Sequence, residues 1–232
     1  MNLQLMNIRH DQSGKIKLGL VLLVFLLGLV AGQLTYRYMT RANRLNDEAV
    51  DLMNQGKYDT ALKILAEALE IQPRHTQANF HQGICLAERH RFDEALEAFT
   101  RVALLDPSRA DAHYQQGRIL WMLKRYDKAI APLQKATDIQ NNYPNAWIVL
   151  AESLYEKHLR RLIEEPDTQS SPAQAEAAFK TYLKQRASAP DKHIVERKLK
   201  ILAHLDRYPE VLEKRRQMME WEAKGNMGHD AK

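Results

Sequence analysis

A 34-residue unit recurs in register along this chain and confines the fold more tightly than any other feature. Residues 76–109 read TQANFHQGICLAERHRFDEALEAFTRVALLDPSR, and the same pattern occupies 42–75 and 110–143. With each unit indexed from 1, position 8 is small (Ala49, Gly83, Gly117) and so is position 20 (Ala61, Ala95, Ala129). Position 11 is always leucine (Leu52, Leu86, Leu120), position 17 aromatic (Tyr58, Phe92, Tyr126) and position 24 large and apolar (Leu65, Phe99, Leu133). Those offsets describe two amphipathic helices per unit, with small residues where the pair must approach closely. A unit of this size cannot bury its apolar face alone, so neighbours must stack into an all-α solenoid.

Asp59, Asp93 and Asp127 stand at position 18, the expected start of each second helix, where an N-cap aspartate would accept from free backbone N–H groups. Pro73 and Pro107 at position 32 should end that helix; unit 3 has Asn141 there and carries Pro132 inside its second helix, where a bend is expected. Agreement at so many positions over three units resembles the tetratricopeptide repeat (TPR) family, over roughly residues 42–190. The resemblance implies helical hairpins and a groove for a protein partner. Some TPR modules clamp a C-terminal carboxylate with Lys, Asn and Arg; Asn46 and Val50 stand at the first clamp positions, so that basic clamp is missing.

Before the repeats, residues 18–36 (LGLVLLVFLLGLVAGQLTY) carry no charge. As a helix they would span about 28 Å, close to the hydrocarbon thickness of a bilayer. Tyr36 and Tyr38 fall where interfacial aromatics would anchor it. The expectation is one N-terminal transmembrane helix after a basic tail (1–17); a cleaved signal ending before Gln33 is the competitor. Arg9, Lys15 and Lys17 on one side balance Arg37, Arg41 and Arg44 on the other; a short basic tail before an early span favours repeats outside the cytoplasm, periplasmic in a bacterium with its anchor in the inner membrane. Gly28 and Gly32 form a GxxxG that could support a homodimer.

After the three regular units (42–143), residues 144–190 read as an irregular fourth. Trp147, Leu150, Ala151 and Leu154 match a first helix that overruns through LYEKHLRRLIEE; PDTQSSP reads as loop. Placing Ala178 at position 20, Tyr182 at 24 and Pro190 at 32 implies an insertion of 15 residues. Two further amphipathic helices (191–223) are expected as a closing pair over the last apolar face, followed by a disordered tail, 224–232.

No catalytic constellation, phosphate loop or metal-ligand spacing is present, so no cofactor, metal or nucleic-acid partner is expected and enzyme activity is not predicted. Cys85, the only cysteine, lies between Ile84 and Leu86 and reads as a packed core thiol, not as half of a disulfide. Basic and acidic residues balance over 42–143, 13 against 14, whereas 157–216 hold 14 against 9. The charges alternate along helices, as on a solvated face. What the chain offers is a surface. Positions 2, 5, 9 and 12 of the first helices share one side, the inner face in TPR-like superhelices. They bring Phe80, Tyr114, Arg118, Trp121, Glu152 and Tyr155 forward as groove residues, and aromatics with arginine dominate interface energies. The chain thus reads as a membrane-anchored scaffold or adaptor that serves assembly or stabilisation of an envelope complex. The layout of anchor, repeats and irregular late unit, with LAESLYEKH (150–158), also resembles the TPR proteins of bacterial cytochrome c maturation, which implies an alternative role in holding apocytochrome segments for haem attachment.

Overall fold

The structure, a computed structural model, describes residues 4–165, 171–204 and 209–225. They form ten α-helices, and there is no strand among the described residues. The first, α1, runs unbroken from Gln4 to Asn54. No proline precedes Pro73, so nothing interrupts its backbone bonds. The basic tail, the apolar run and the first helix of unit 1 are therefore one element without a linker. Its segment from Leu20 onward is long and apolar enough to cross a membrane, a test that a secretion signal also passes.

Then follow α2 (Tyr58–Ile71), α3 (Thr76–Glu88), α4 (Phe92–Leu105), α5 (Ala110–Met122) and α6 (Tyr126–Ile139). Each first helix of units 1 to 3 ends the same way. Position 15 takes a left-handed conformation (Gly56 φ 73°, His90 φ 59°, Lys124 φ 58°). The next residue's N–H reaches back to the position 11 leucine: Lys57 to Leu52 at 2.9 Å, Arg91 to Leu86 at 2.8 Å, Arg125 to Leu120 at 2.8 Å. This six-to-one bond, with the shorter bond inside it, is a Schellman ending, and it aims the chain back along its own hairpin.

The second helices start at position 17, one residue earlier than expected. Lys57, Arg91 and Arg125 occupy the N-cap and make no side-chain cap bond. The position 18 aspartates are thus not N-caps; they sit inside the first turn, where a carboxylate favours the helix dipole. Two of them also join successive units, Asp93 to Arg125 and Asp127 to Lys157, both at 3.1 Å. All three second helices end at position 30, two residues before Pro73, Pro107 or Asn141, so the proline marks the stop without being needed for it. Helix α6 runs on through Pro132, which lacks the N–H to bond Lys128.

Position 8 is small for the reason expected. A Cβ on Gly83 would come within 2.8 Å of the Phe99 ring, and one on Gly117 within 2.8 Å of Leu133 Cδ2 and closer still to its Cγ.

The first helix of the fourth unit, α7 (Pro144–Glu164), overruns as expected. The loop assigned to 166–172 falls largely outside the described residues. Helix α8 (Ala173–Gln185) buries Ala175, Ala178, Phe179 and Tyr182, the same offsets as Ala95, Ala98, Phe99 and Val102 in α4. Ala175, not Ala178, therefore holds position 20, and the insertion is three residues shorter than the sequence suggested. Tyr182 donates to the Asp191 carboxylate at 2.8 Å, tying α8 to the start of α9 (Lys192–Ala203). The last helix is α10 (Pro209–Gly225); the remainder of the expected tail, 226–232, lies outside the described residues.

The chain divides into two units, 1–81 and 82–232, with the division inside α3. In the first, Ala42, Ala49, Ala61, Leu65 and Ala68 are fully buried. In the second, one core runs from Leu120 and Leu133 through Leu150, Tyr155 and Phe179 to Val195 and Leu202.

Candidate partner-binding face

Two polar devices, the first of them recurring, hold the first helices in place. Position 4 carries three unlike residues that make one bond. Asn79 Nδ2 donates to the Pro73 carbonyl (3.1 Å), His113 Nε2 bonds the Pro107 carbonyl (3.1 Å), and Trp147 Nε1 donates to the Asn141 carbonyl (2.7 Å). Each ties a first helix to position 32 of the preceding unit. Gln185, a poor fit to its expected core position, donates to the Asn141 carbonyl as well (2.7 Å). The second device is His75, buried at the N-cap of α3. The Ala78 N–H donates to its Nδ1 (3.1 Å), which leaves Nε2 as the donor to Asn43 Oδ1 (2.7 Å). Burial lowers the His75 pKa, which keeps Nδ1 free to accept.

In the second unit these supports present Tyr114, Arg118 and Trp121 at positions 5, 9 and 12 of α5, all half-buried. The Tyr114 ring lies 5.0 Å from that of Tyr143, tilted by 48°. Burial raises both phenol pKa values, so both stay neutral hydrogen-bonding groups. Arg118 Nε donates to Gln115 Oε1 at 2.9 Å, and no carboxylate lies within ion-pair distance among the described residues. Trp121 Nε1 is buried and has no hydrogen-bond partner among the described residues. One side of α5 thus carries a half-buried tyrosine, an arginine without a counter-charge and an orphaned indole N–H.

The other expected groove residues are placed differently. Tyr155 is 5% exposed and meets Phe179 edge-on at 6.2 Å. It is core, because the shorter insertion brings Phe179 beneath it, and burial pushes its phenol up to about 12. Glu152 is held by Lys198 of α9, whose ammonium also lies 5.1 Å from the Tyr155 ring centroid. Phe80, in the first unit, is 8% exposed and stands edge-on to His81 at 6.1 Å.

The expected closing pair is also divided. Helix α9 packs beside α8, whereas α10 packs against α7. Arg215 of α10 lies 3.1 Å from the Glu156 carboxylate at position 13 of α7, and Glu222 lies 2.5 Å from Lys124 at the end of α5. Position 13 follows position 9 by one helical turn, so Glu156 lies on the side of α7 that carries Glu152. The sequence showed α10 as amphipathic; only the long-range charge pairs reveal which surface it covers.

Cys85 is fully buried, and burial raises its thiol to about 11, so it packs and does not react at neutral pH. No cluster able to hold a metal occurs among the described residues. A cleft of 230 Å³ beside Leu154, His158, Arg161 and Pro172 lies where α7 overruns. Lys157 and Arg161 on its rim are engaged with Asp127 and Glu165, so it offers no free charge from them.

The chain was also compared with known proteins. Residues 46–103 and 88–144 match a family model described as a tetratricopeptide repeat. A comparison with curated proteins found no match. Among solved structures, the chain is similar to YrrB, a TPR protein with an unusual peptide-binding site (18% identity, 74% of this chain and 80% of that one, TM-score 0.58). It is likewise similar to MamA from residue 41 to its end from Desulfovibrio magneticus RS-1 (18% identity, 79% and 96%, TM-score 0.59). It also resembles part of an O-GlcNAc transferase mutant from Thermobaculum terrenum (19% identity, 64% and 27%, TM-score 0.53). At these identities the likeness is one of fold. Repeat period, hairpin geometry and family match agree: residues 46–144 match the tetratricopeptide repeat model, and the described residues fold into TPR-like helical hairpins.

Proposed function

We propose that this chain is a membrane-anchored TPR scaffold that captures a protein segment on the inner face of α5 and α7. The observation that carries the reading is the cluster of Tyr114, Arg118 and Trp121, in which, among the described residues, the arginine has no counter-charge and the indole N–H no acceptor. A peptide supplying a carboxylate or carbonyl would satisfy both, and apolar side chains would finish burying the rings. That one structural relative is described as having a peptide-binding site supports the same class of ligand.

The anchor is the apolar part of α1, whose Leu20, Val24 and Leu27 are more than half exposed to their surroundings. Anchoring would raise the effective concentration toward membrane-bound partners, so a modest affinity at the groove suffices. We place the repeats on the periplasmic side of a bacterial inner membrane and assign the scaffold to assembly or stabilisation of an envelope complex.

The test is photo-crosslinking in intact membranes from position 122, where Met122 is 41% exposed next to Trp121, followed by identification of the captured protein. Capture should disappear in Y114A/W121A while the helical CD spectrum is unchanged; capture that persists at the same yield refutes the groove. A reporter fused after Lys232 tests sidedness, and cytoplasmic activity of the reporter refutes it. The mass of the mature N-terminus tests retention of the anchor, and cleavage before Gln33 refutes it.

A further inference from the structure

We propose that α10 is a built-in ligand of the inner face, and that the external partner is an amphipathic helix of the same design that displaces it. This rests on the groove reading above and names the partner's chemistry. Leu212, Arg215, Met219 and Glu222 are spaced three, four and three residues apart, so they form a single seam along α10. Val211 and Leu212 pack on the rim of the second unit's core, Arg215 meets Glu156, and Glu222 meets Lys124. The surface thus reads a helix by an apolar pair at one end, a cation in the middle and an anion toward the other end.

The attachment is built for release. Helix α9 buries Val195, Ile201 and Leu202, whereas the one α10 residue below a tenth exposed, among those described, is Arg215. The Arg215 and Glu156 charges lie 3.1 Å apart, yet the N–H is not aimed at the oxygen, and Arg215 Nε and Nη2 both lack a hydrogen bond. A buried charge pair with poor alignment returns little of its desolvation cost, so it specifies position more than it stabilises. The outer side of α10 keeps Met218 52% and Trp221 73% exposed. A competing helix with the same charge order and better-aligned donors would win the site. Release of α10 would then uncover Glu156 and part the already exposed Lys124 from Glu222, which adds an anion and a cation to the face available to the partner.

The experiment uses the full chain in detergent micelles. Three forms are compared, wild type, R215E and the swap E156R/R215E, by hydrogen exchange over 209–225. A labelled peptide of residues 209–225 is then titrated into each. In R215E, exchange over 209–225 should rise while α5 to α8 stay protected. The peptide should bind R215E about tenfold tighter than wild type, because the site is vacated. The swap should restore protection in cis and reject the peptide. Unchanged exchange in R215E, or equal peptide binding to R215E and wild type, overturns the proposal. Lost peptide binding with crosslinking at position 122 intact overturns this inference alone; loss of both overturns the groove reading with it.

Discussion

Replacing Gly117 by alanine tests the hairpin packing with opposing terms of known sign. Helix propensity alone favours the change by about 1 kcal/mol, since glycine is a poor helix-interior residue. Packing opposes it. The new Cβ would meet Leu133 Cδ2 at 2.8 Å and Cδ1 at 3.1 Å, and the Cγ branch point closer still. Leu133 is fully buried, so it has no open space to turn into. Overpacking of a filled core costs about 1–3 kcal/mol, and contact with a branch point places this case toward the upper end. The net expectation is a loss of about 1–2 kcal/mol. The sign should invert when the obstruction is removed. L133A alone costs about 2–5 kcal/mol, but G117A made on top of L133A should recover about 1 kcal/mol, because only the propensity term is left. Urea unfolding of the full chain in micelles, followed by far-UV CD, closes this double-mutant cycle. A G117A chain more stable than wild type by the full propensity term would refute the account of why position 8 is small.

Three further outcomes follow from the structure. H90G should stabilise the chain by about 0.5 kcal/mol, since His90 holds φ 59° at a Schellman position and loses only an edge contact to Phe92; a lower urea midpoint would contradict this. The imidazole of His75 acts as an acceptor and burial holds its pKa below 6.5, so the neutral form stabilises the folded state. That contribution is complete above 6.5 and is lost as pH falls through the lowered folded value, so protection of the Ala78 amide relative to its intrinsic exchange should fall on acidification in wild type and stay flat in H75N. W147F removes one of two donors to the Asn141 carbonyl and should cost about 1 kcal/mol, with a larger loss when Q185A removes the second; equal midpoints for W147F and wild type would sink the shared-donor account.

The architecture was legible because a stacked repeat is made of nearest-neighbour contacts. Residues 8, 11, 20 and 24 of one unit meet within that unit, so their identities recur at fixed offsets and report the hairpin directly. Position 4 read as core at His113 and Trp147, both of which are only half-buried, and the bond it makes was not legible for the opposite reason. Asn79, His113 and Trp147 share no chemistry except an N–H that reaches the preceding turn, and a pattern sought in hydrophobicity does not register it. The position 18 aspartates lie two residues past the cap, because the aromatic at position 17 already has helical geometry. The fourth unit slipped by one turn in the reading because Ala175 and Ala178 are equally small; only the burial of Phe179 and Tyr182 distinguishes them.

The sequence by itself determined the repeat, the helix pairs, the small-residue contacts and an apolar helix long enough for a bilayer. These depend on local spacing and on the identity of adjacent side chains. Tertiary structure alone decided what the inner face contains. Tyr155 became core and Glu152 was engaged by Lys198 once α8 and α9 took their places. Helix α10 found its seat through Lys124–Glu222 and Arg215–Glu156, pairs separated by tens of residues. Charges carry no period and attract without regard to register, so no spacing along the chain could have announced which of them would meet.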